Sequence, residues 1–139
     1  MLIFDLVRKK YVALTPEEWV RQHLIHYLSA EKNCPLTLMS VETPLRYAQM
    51  HKRSDVVVYG RNGQPLLLAE CKAPEVPVNQ KVFEQIAVYH QTIQSPFLLV
   101  TNGLLHYCMS ITAMRGAVFL TDVPDYGDMI KRCDGAKST

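Results

Sequence analysis

The stretch DVVVYGRNGQPLLLAECK, residues 55–72, contains two apolar runs that flank a turn rich in Gly and Asn. This pattern is typical of a β-hairpin. Three ionisable residues interrupt the apolar runs: Asp55 opens the first predicted strand, and Glu70 and Lys72 close the second. Because side chains alternate along a strand, Glu70 and Lys72 point to one face and Cys71 points to the other.

The register of this hairpin decides how close Asp55 lies to Glu70. A loop of residues 61–64 places Asp55 directly opposite Glu70, whereas a loop of residues 61–62 places it opposite Leu68 and diagonal to Glu70. Either register brings the two Cβ atoms to about 5–8 Å from each other. The sequence therefore predicts two carboxylates and one ammonium at one end of a hairpin, and carboxylate oxygens are the ligands that magnesium prefers.

Length and composition limit the class of protein. The chain has 139 residues, enough for one domain, and 48% of them are apolar, as in ordinary globular proteins. We expect neither a membrane span nor a signal peptide. The four cysteines form no CxxC pair and no His cluster accompanies them, which argues against a zinc site. Cys71 and Cys108 lie inside apolar runs, as buried free thiols do, and this indicates the reducing cytoplasm. A net charge of +2 is too small to indicate a nucleic-acid binder by itself.

A helix is predicted to begin at Thr15, which caps it, with Pro16 at the first helical position and Glu18 completing a capping box. Apolar residues recur with a helical period to about Ala30. Glu17 lies at the edge of this apolar stripe. In isolation, its simplest role is to complement the helix dipole in the first turn.

A second amphipathic helix is predicted from about residue 79 to residue 94. Gln85 and Tyr89 lie one turn apart at the edge of its apolar stripe, where polar groups often border a core. Further strands are predicted at residues 36–48, 97–101, 106–111 and 117–121. This order of elements predicts an α/β fold with a mixed central sheet flanked by helices.

We expect one domain over residues 1–139, with a core at residues 15–124. Residues 1–14 are expected to form an extended arm whose basic triplet, residues 8–10, is a solvated surface more often than a phosphate contact. Residues 125–139 are expected to form a C-terminal tail with a polar, frayed end.

The spacing of Asp55, fourteen residues and Glu70-Cys71-Lys72 resembles the PD-(D/E)xK nuclease superfamily. Residues 85–89 match the QxxxY motif of a subset of these nucleases. Residues 15–21 and 70–74 look like the N-terminal nuclease domain of type I restriction enzyme R (HsdR) subunits, and the resemblance spans roughly residues 15–111. It implies a restriction-endonuclease-like fold. Ser54 stands where the signature has Pro, and no Walker A motif for a helicase motor is present.

The resemblance implies a magnesium-dependent DNA endonuclease domain without sequence specificity of its own, with Mn²⁺ as a substitute cofactor. Asp55, Glu70, the Cys71 backbone carbonyl and Glu17 are the implied metal ligands. Lys72 is implied to orient or deprotonate the attacking water. The implied partners are DNA and either the specificity and modification subunits of a restriction system or a helicase motor.

Further residues are implied to contact the DNA. Two of them belong to the QxxxY motif and position the DNA backbone or brace the site, and the others contact phosphates, which positions DNA without reading its sequence. These residues are Gln85, Tyr89, His51, Lys52, Arg53 and Lys81.

Two other functions are compatible with the same sequence. A DNA-binding or assembly module could keep the nuclease fold with little activity alone, as the missing motor and low net charge suggest. A structural domain could carry the charged residues as an incidental ion pair. A separation of more than ~10 Å between Asp55 and Glu70 would favour this structural domain, because such carboxylates cannot share a metal.

Overall fold

The computed structural model describes residues 1–47, 50–84, 95–112 and 116–137. Within these ranges the helices are α1 (Pro16–Ala30), α2, which begins at residue 80 and is described to residue 84, and α3 (Tyr126–Lys137). A 3₁₀ turn spans Leu36–Leu38. The strands are β1 (Leu2–Asp5), β2 (Lys10–Ala13), β3 (Met39–Tyr47), β4 (Met50–Tyr59), β5 (Pro65–Cys71), β6 (Phe97–Thr101), β7 (His106–Thr112) and β8 (Gly116–Leu120).

The strands form two sheets, a β1–β2 hairpin and a six-stranded sheet in the order β3-β4-β5-β6-β7-β8. In the large sheet β5 and β6 are parallel, and every other neighbouring pair is antiparallel. This confirms the predicted mixed sheet and α/β class. No helix in the described part of the chain is long and apolar enough to cross a membrane.

The β4–β5 hairpin has the first of the two predicted registers. Val57 pairs with Leu68, as a loop of residues 61–64 predicts; after an irregularity at the end of β4, Tyr59 pairs with Pro65, which leaves residues 60–64 between the strands. Gly63 has a φ of +81°, a conformation that costs glycine little. Continuing this register by one residue beyond the last pair places Asp55 opposite Glu70.

The large sheet has an apolar core on each face. The fully buried Val58 and Leu67 face α1 and α3, where they pack with Leu28 and Met129. On the opposite face, buried residues of the central strands pack with side chains from the α2 region; these are Val57, Leu68, Val78, Phe83, Leu98, Val100 and Met109. The continuous apolar run at residues 97–101 fits β6, which is buried along its whole length.

Both ends of the chain are more ordered than the sequence predicts. The expected arm is the β1–β2 hairpin, and Arg8 in its turn forms ion pairs instead of a solvated surface. Much of the expected C-terminal tail is α3. Tyr126, Met129, Ile130 and Cys133 recur at helical spacing and pack on the sheet, which explains why this otherwise polar segment folds.

We predict that Met129→Ala lowers the free energy of unfolding by about 2–5 kcal/mol, because it leaves a cavity beneath α3. Met129 is fully buried, whereas Lys131 on the same helix is exposed, so Lys131→Ala should change stability by less than about 0.5 kcal/mol. Urea unfolding of the two variants measures the difference. Equal stability of the two variants would show that α3 does not belong to the core.

Candidate functional site

Asp55 and Glu70 are in direct contact across β4 and β5. Their side chains lie within hydrogen-bonding reach of each other, and two carboxylates this close repel each other when both are ionised. Glu70 is buried, and the Asp55 side chain is 16% exposed. This contact excludes the separation of more than ~10 Å that would favour an incidental ion pair.

The pKa of Asp55 is set by burial and by three neighbouring groups. Burial raises the pKa of Asp55 to about 6, and the neighbouring Glu70 carboxylate adds to the rise. Hydrogen bonds from the Cys71 backbone N–H and from Arg21 oppose it. The Cys71 N–H donates to Asp55 Oδ2 at 2.7 Å, which fixes the carboxyl group against the end of β5.

Arg21 is the cation that faces Asp55. It lies on the buried side of α1, where its Nη2 is 3.0 Å from Asp55 Oδ1 and its Nη1 is 2.9 Å from Glu18 Oε1. Two more carboxylates lie farther from Nη2, Glu17 at 3.8 Å and Glu42 at 3.7 Å. One guanidinium therefore joins α1 to both β3 and β4 at the site.

Glu42 completes a row of carboxylates across three strands. The β3–β4 register pairs Val41 with Val56 and Thr43 with Ser54, so Glu42 lies opposite Asp55. Its φ of +53° is unusual for a residue with a side chain. Glu42, Asp55 and Glu70 thus occupy equivalent positions on β3, β4 and β5, although the side chain of Glu42 is about half exposed.

A second arginine, Arg8, comes from the turn of the β1–β2 hairpin. Its Nε lies 2.5 Å from Asp5 Oδ2, and its Nη2 lies 2.7 Å from Glu18 Oε1. Asp5 is fully buried and also accepts hydrogen bonds from the backbone N–H groups of Val7 and Arg8 and from Gln22 Nε2. The Arg8–Glu18 ion pair and the Asp5–Gln22 hydrogen bond thereby hold the hairpin against α1.

The start of α1 agrees in part with the predicted capping box. Thr15 Oγ1 accepts the Glu18 N–H at 3.1 Å, as predicted. The Glu18 carboxylate, however, accepts hydrogen bonds from Arg8, Arg21 and Gln22. Glu18 is therefore the acidic residue of this turn that is buried in the site, and Glu17, the residue expected to reach it, is exposed beside Arg21.

Lys72 immediately follows β5. Its backbone N–H donates to Thr101 O at 2.8 Å and so continues the pairing with β6. Strand alternation places Lys72 on the face of Glu70. Its side chain forms no ion pair within 4.0 Å of any residue in the described ranges. An ammonium that forms no ion pair with the described residues is available to an anionic ligand.

Cys71 lies between Glu70 and Lys72 in the sequence, but its side chain is on the other face of the sheet, in the core beneath α1 and α3. Burial raises the pKa of its thiol well above the ordinary value, and nearby Asp55 adds to the effect. The neutral thiol is therefore an apolar core group and a poor metal ligand. The proposed role of its backbone carbonyl stays a prediction.

The remaining predicted residues are less fully described. Lys81 is exposed at the start of α2. Residues 51–53 belong to β4, but the orientation of their side chains is outside the description, and Gln85 and Tyr89 lie outside the described residues. Their roles in binding DNA stay predictions.

The donor set of Asp55 and Glu70 fits a magnesium ion. Magnesium is usually held by one or two carboxylates and completes its shell with water and substrate phosphate. Buried Glu70 and half-buried Asp55, whose pKa is raised, repel each other when both are ionised, and a cation removes that repulsion. Among the described residues, no group of three or more His, Cys, Asp and Glu side chains is arranged to hold a metal, so the fit is limited to this pair.

Sequence reasoning missed most of the buried charge network. Its members from the hairpin and α1 are Asp5, Arg8, Glu18, Arg21 and Gln22. One signal was available: Arg21 lies between Val20 and Leu24 on the apolar stripe, and a charged residue in such a position needs a buried partner. The identity of the partner in β4 is not encoded in any local pattern.

The sequence of residues 16–124 matches the family model described as the type I restriction enzyme R protein N terminus (HSDR_N). The chain belongs to this family. The predicted resemblance to the N-terminal domain of type I restriction enzyme R subunits is thereby confirmed. Among curated protein sequences, none matches this chain significantly.

Two solved structures share the fold. One is a fragment assigned as an HsdR subunit of a type I restriction enzyme from Vibrio vulnificus, with a TM-score of 0.64, 20% identity, and coverage of 91% of this chain and 27% of that chain. The other is assigned as a nuclease from Anabaena variabilis, with a TM-score of 0.52, 9% identity, and coverage of 88% and 87%. The chain therefore spans about a quarter of the length of the Vibrio fragment.

We predict that Asp5 stabilises the fold at neutral pH and loses this effect in acid. Burial raises the pKa of Asp5, but its hydrogen bonds from Arg8, Val7 and Gln22 outweigh burial and hold the pKa below the ordinary 3.8. A lowered folded-state pKa contributes stability above the unfolded pKa, and this stability disappears as the pH falls through the folded pKa.

Asp5→Asn should therefore destabilise the chain by about 2 kcal/mol at pH 7, and by less at pH 3, as judged by urea unfolding. Asp128→Asn removes an exposed carboxylate of α3 and is the matched control. An Asp5→Asn variant whose stability falls between pH 7 and pH 3 as much as that of the unmodified chain would contradict this role.

Proposed function

We propose that this chain is a magnesium-dependent DNA endonuclease domain that hydrolyses phosphodiester bonds without sequence specificity of its own. The observation that carries the proposal is the direct contact of Asp55 with Glu70. Lys72 follows Glu70 by two residues and lies on the same face of the strand. Membership in the HsdR N-terminal family supports it. The likeness to the Anabaena protein assigned as a nuclease is consistent with it in fold.

The acidic residues would hold the cation. Asp55 and Glu70 supply the two carboxylates, and Glu17, exposed at the rim, is close enough to the Arg21 guanidinium to approach the same position through water. When bound, magnesium stabilises the charge that develops on the phosphate and lowers the pKa of a bound water. Arg21 and the Cys71 N–H keep the Asp55 carboxyl group oriented.

Lys72 would act on the phosphate and on the attacking water. Its ammonium has no ion-pair partner among the described residues, so its charge is available for a non-bridging phosphate oxygen. From that position the ammonium would orient the attacking water, and only its neutral amine form would accept the proton of that water. Lys52, Arg53, Lys81, Gln85 and Tyr89 would contact the DNA backbone, which places the strand without reading bases.

The partners follow from the family. The Vibrio fragment is assigned to an HsdR subunit, and this chain corresponds to about a quarter of that fragment. We propose that the domain acts with a helicase motor and with specificity and modification subunits that select the DNA. DNA is the substrate, and Mn²⁺ is expected to replace Mg²⁺.

We predict that Asp55→Asn, Glu70→Gln and Lys72→Ala each reduce magnesium-dependent nicking of supercoiled plasmid by about 100-fold or more. Loss of a group that only supports a metal ligand already costs roughly 10–100-fold. The first two changes keep side-chain size, so circular dichroism should show intact folds. Glu31→Gln, which removes an exposed carboxylate at the end of α1, should nick at the unmodified rate. Unmodified nicking by Asp55→Asn or Lys72→Ala would refute the assignment.

A DNA-binding or assembly module with little activity alone is the second candidate. It is favoured by one observation: both oxygens of Asp55 already accept hydrogen bonds from protein groups, Arg21 and the Cys71 N–H. Isothermal titration with duplex DNA separates the two candidates. Binding that is unchanged by removal of magnesium, in a chain that does not nick, would support the module, whereas nicking supports the nuclease.

A further inference from the structure

The β1–β2 hairpin lies outside the segment that matches the family model, which begins at residue 16. It nevertheless contributes charged side chains to the candidate site. Asp5 and Arg8 belong to this hairpin, and both contact residues on the buried side of α1. The hairpin is therefore part of the candidate site, although it lies outside the segment that matches the family model.

Three successive ion pairs connect the β1–β2 hairpin to Asp55. Arg8 Nη2 is 2.7 Å from Glu18 Oε1, and Arg21 Nη1 is 2.9 Å from the same oxygen. Arg21 Nη2 is in turn 3.0 Å from Asp55 Oδ1. Two arginines thus share one Glu18 oxygen, and the second of them binds the candidate metal ligand.

The connection is buried, so each link affects the next. Glu18 and Arg21 are 6% and 5% exposed, and a buried charge that loses its partner is strongly destabilised. Arg21 Nε makes no hydrogen bond in the described part of the chain, so the side-chain hydrogen bonds of the guanidinium there come from Nη1, to Glu18, and from Nη2, to Asp55. Without Arg8, Arg21 is the one cationic partner that the described residues offer to Glu18, and Glu18 then competes with Asp55 for it.

We infer that Arg8 is a positioning residue of the site, which acts through Glu18 and Arg21 to hold the Asp55 carboxyl group in place. Asp5 fixes Arg8 by accepting both its backbone N–H and its Nε–H. The inference depends on the proposed function only for its effect on cleavage. The contact chain itself is independent of that function.

The first test is the kinetics of magnesium-dependent nicking. Arg8→Gln should lower kcat by about tenfold with KM for DNA nearly unchanged, because a small displacement of a reacting group costs up to roughly 100-fold. Arg8→Lys, which keeps the charge but not the fork, should restore part of the loss. Lys10→Gln removes an equal charge from an exposed position of the same hairpin and should leave kcat unchanged.

The second test does not require activity. The Cys71 amide donates to Asp55 Oδ2, so its NMR signal reports movement of that carboxyl group. Arg8→Gln should shift this signal and Lys10→Gln should not. In an Arg21→Lys background the shift caused by Arg8→Gln should become smaller, because the two changes act on one connection.

The outcomes are distinct for the two proposals. If the unmodified chain does not nick DNA under any condition, the proposed function fails, and the Cys71 signal still tests the connection. A folded Arg8→Gln variant with an unmoved Cys71 signal would overturn the inference. So would equal shifts in the unmodified and Arg21→Lys backgrounds, which would mean that Arg8 acts by another route.

Discussion

Two adjacent carboxyl groups removed from water are the constraint on which this structure depends. Burial of Asp55 beside Glu70 is unfavourable unless a proton, a cation or hydrogen-bond donors compensate for it. The fold supplies the Cys71 N–H from β5 and the Arg21 guanidinium from α1. Arg21 is itself buried, and its charge is balanced by Glu18 as well as by Asp55. Glu18 is in turn paired with Arg8, so the buried ion pairs extend to the N-terminal hairpin.

The parts of the fold that were predicted correctly have local causes. Alternation and a Gly/Asn turn within residues 55–72 determine the β4–β5 hairpin, and loop length determines its register. The cap of α1 at Thr15 and the wholly apolar β6 are equally local. Because one register serves the apolar core and the charged residues alike, the contact between Asp55 and Glu70 followed from the same pattern.

The parts that were missed depend on tertiary structure. The choice of Glu18 over Glu17 as the buried acid is decided by Arg8, ten residues earlier, and by Arg21 on the next turn. Local pattern alone cannot reveal these partners, because the helix-dipole argument favours both acids and the capping-box argument gives Glu18 a partner within its own turn. The C-terminal helix was missed for a similar reason, since its stability comes from burial of Met129 on the sheet.

The parallel pairing of β5 with β6 has a consequence for the order in which the site is assembled. A short turn joins β4 to β5, whereas the 25 residues 72–96 separate β5 from its parallel neighbour β6. Pairings between segments that are distant in sequence tend to form late in folding. Glu70 and Lys72 lie beside Val100 and Thr101 of β6. Because β6 is buried along its whole length and paired on both edges, we expect hydrogen exchange at the Lys72 amide to require the global unfolding energy.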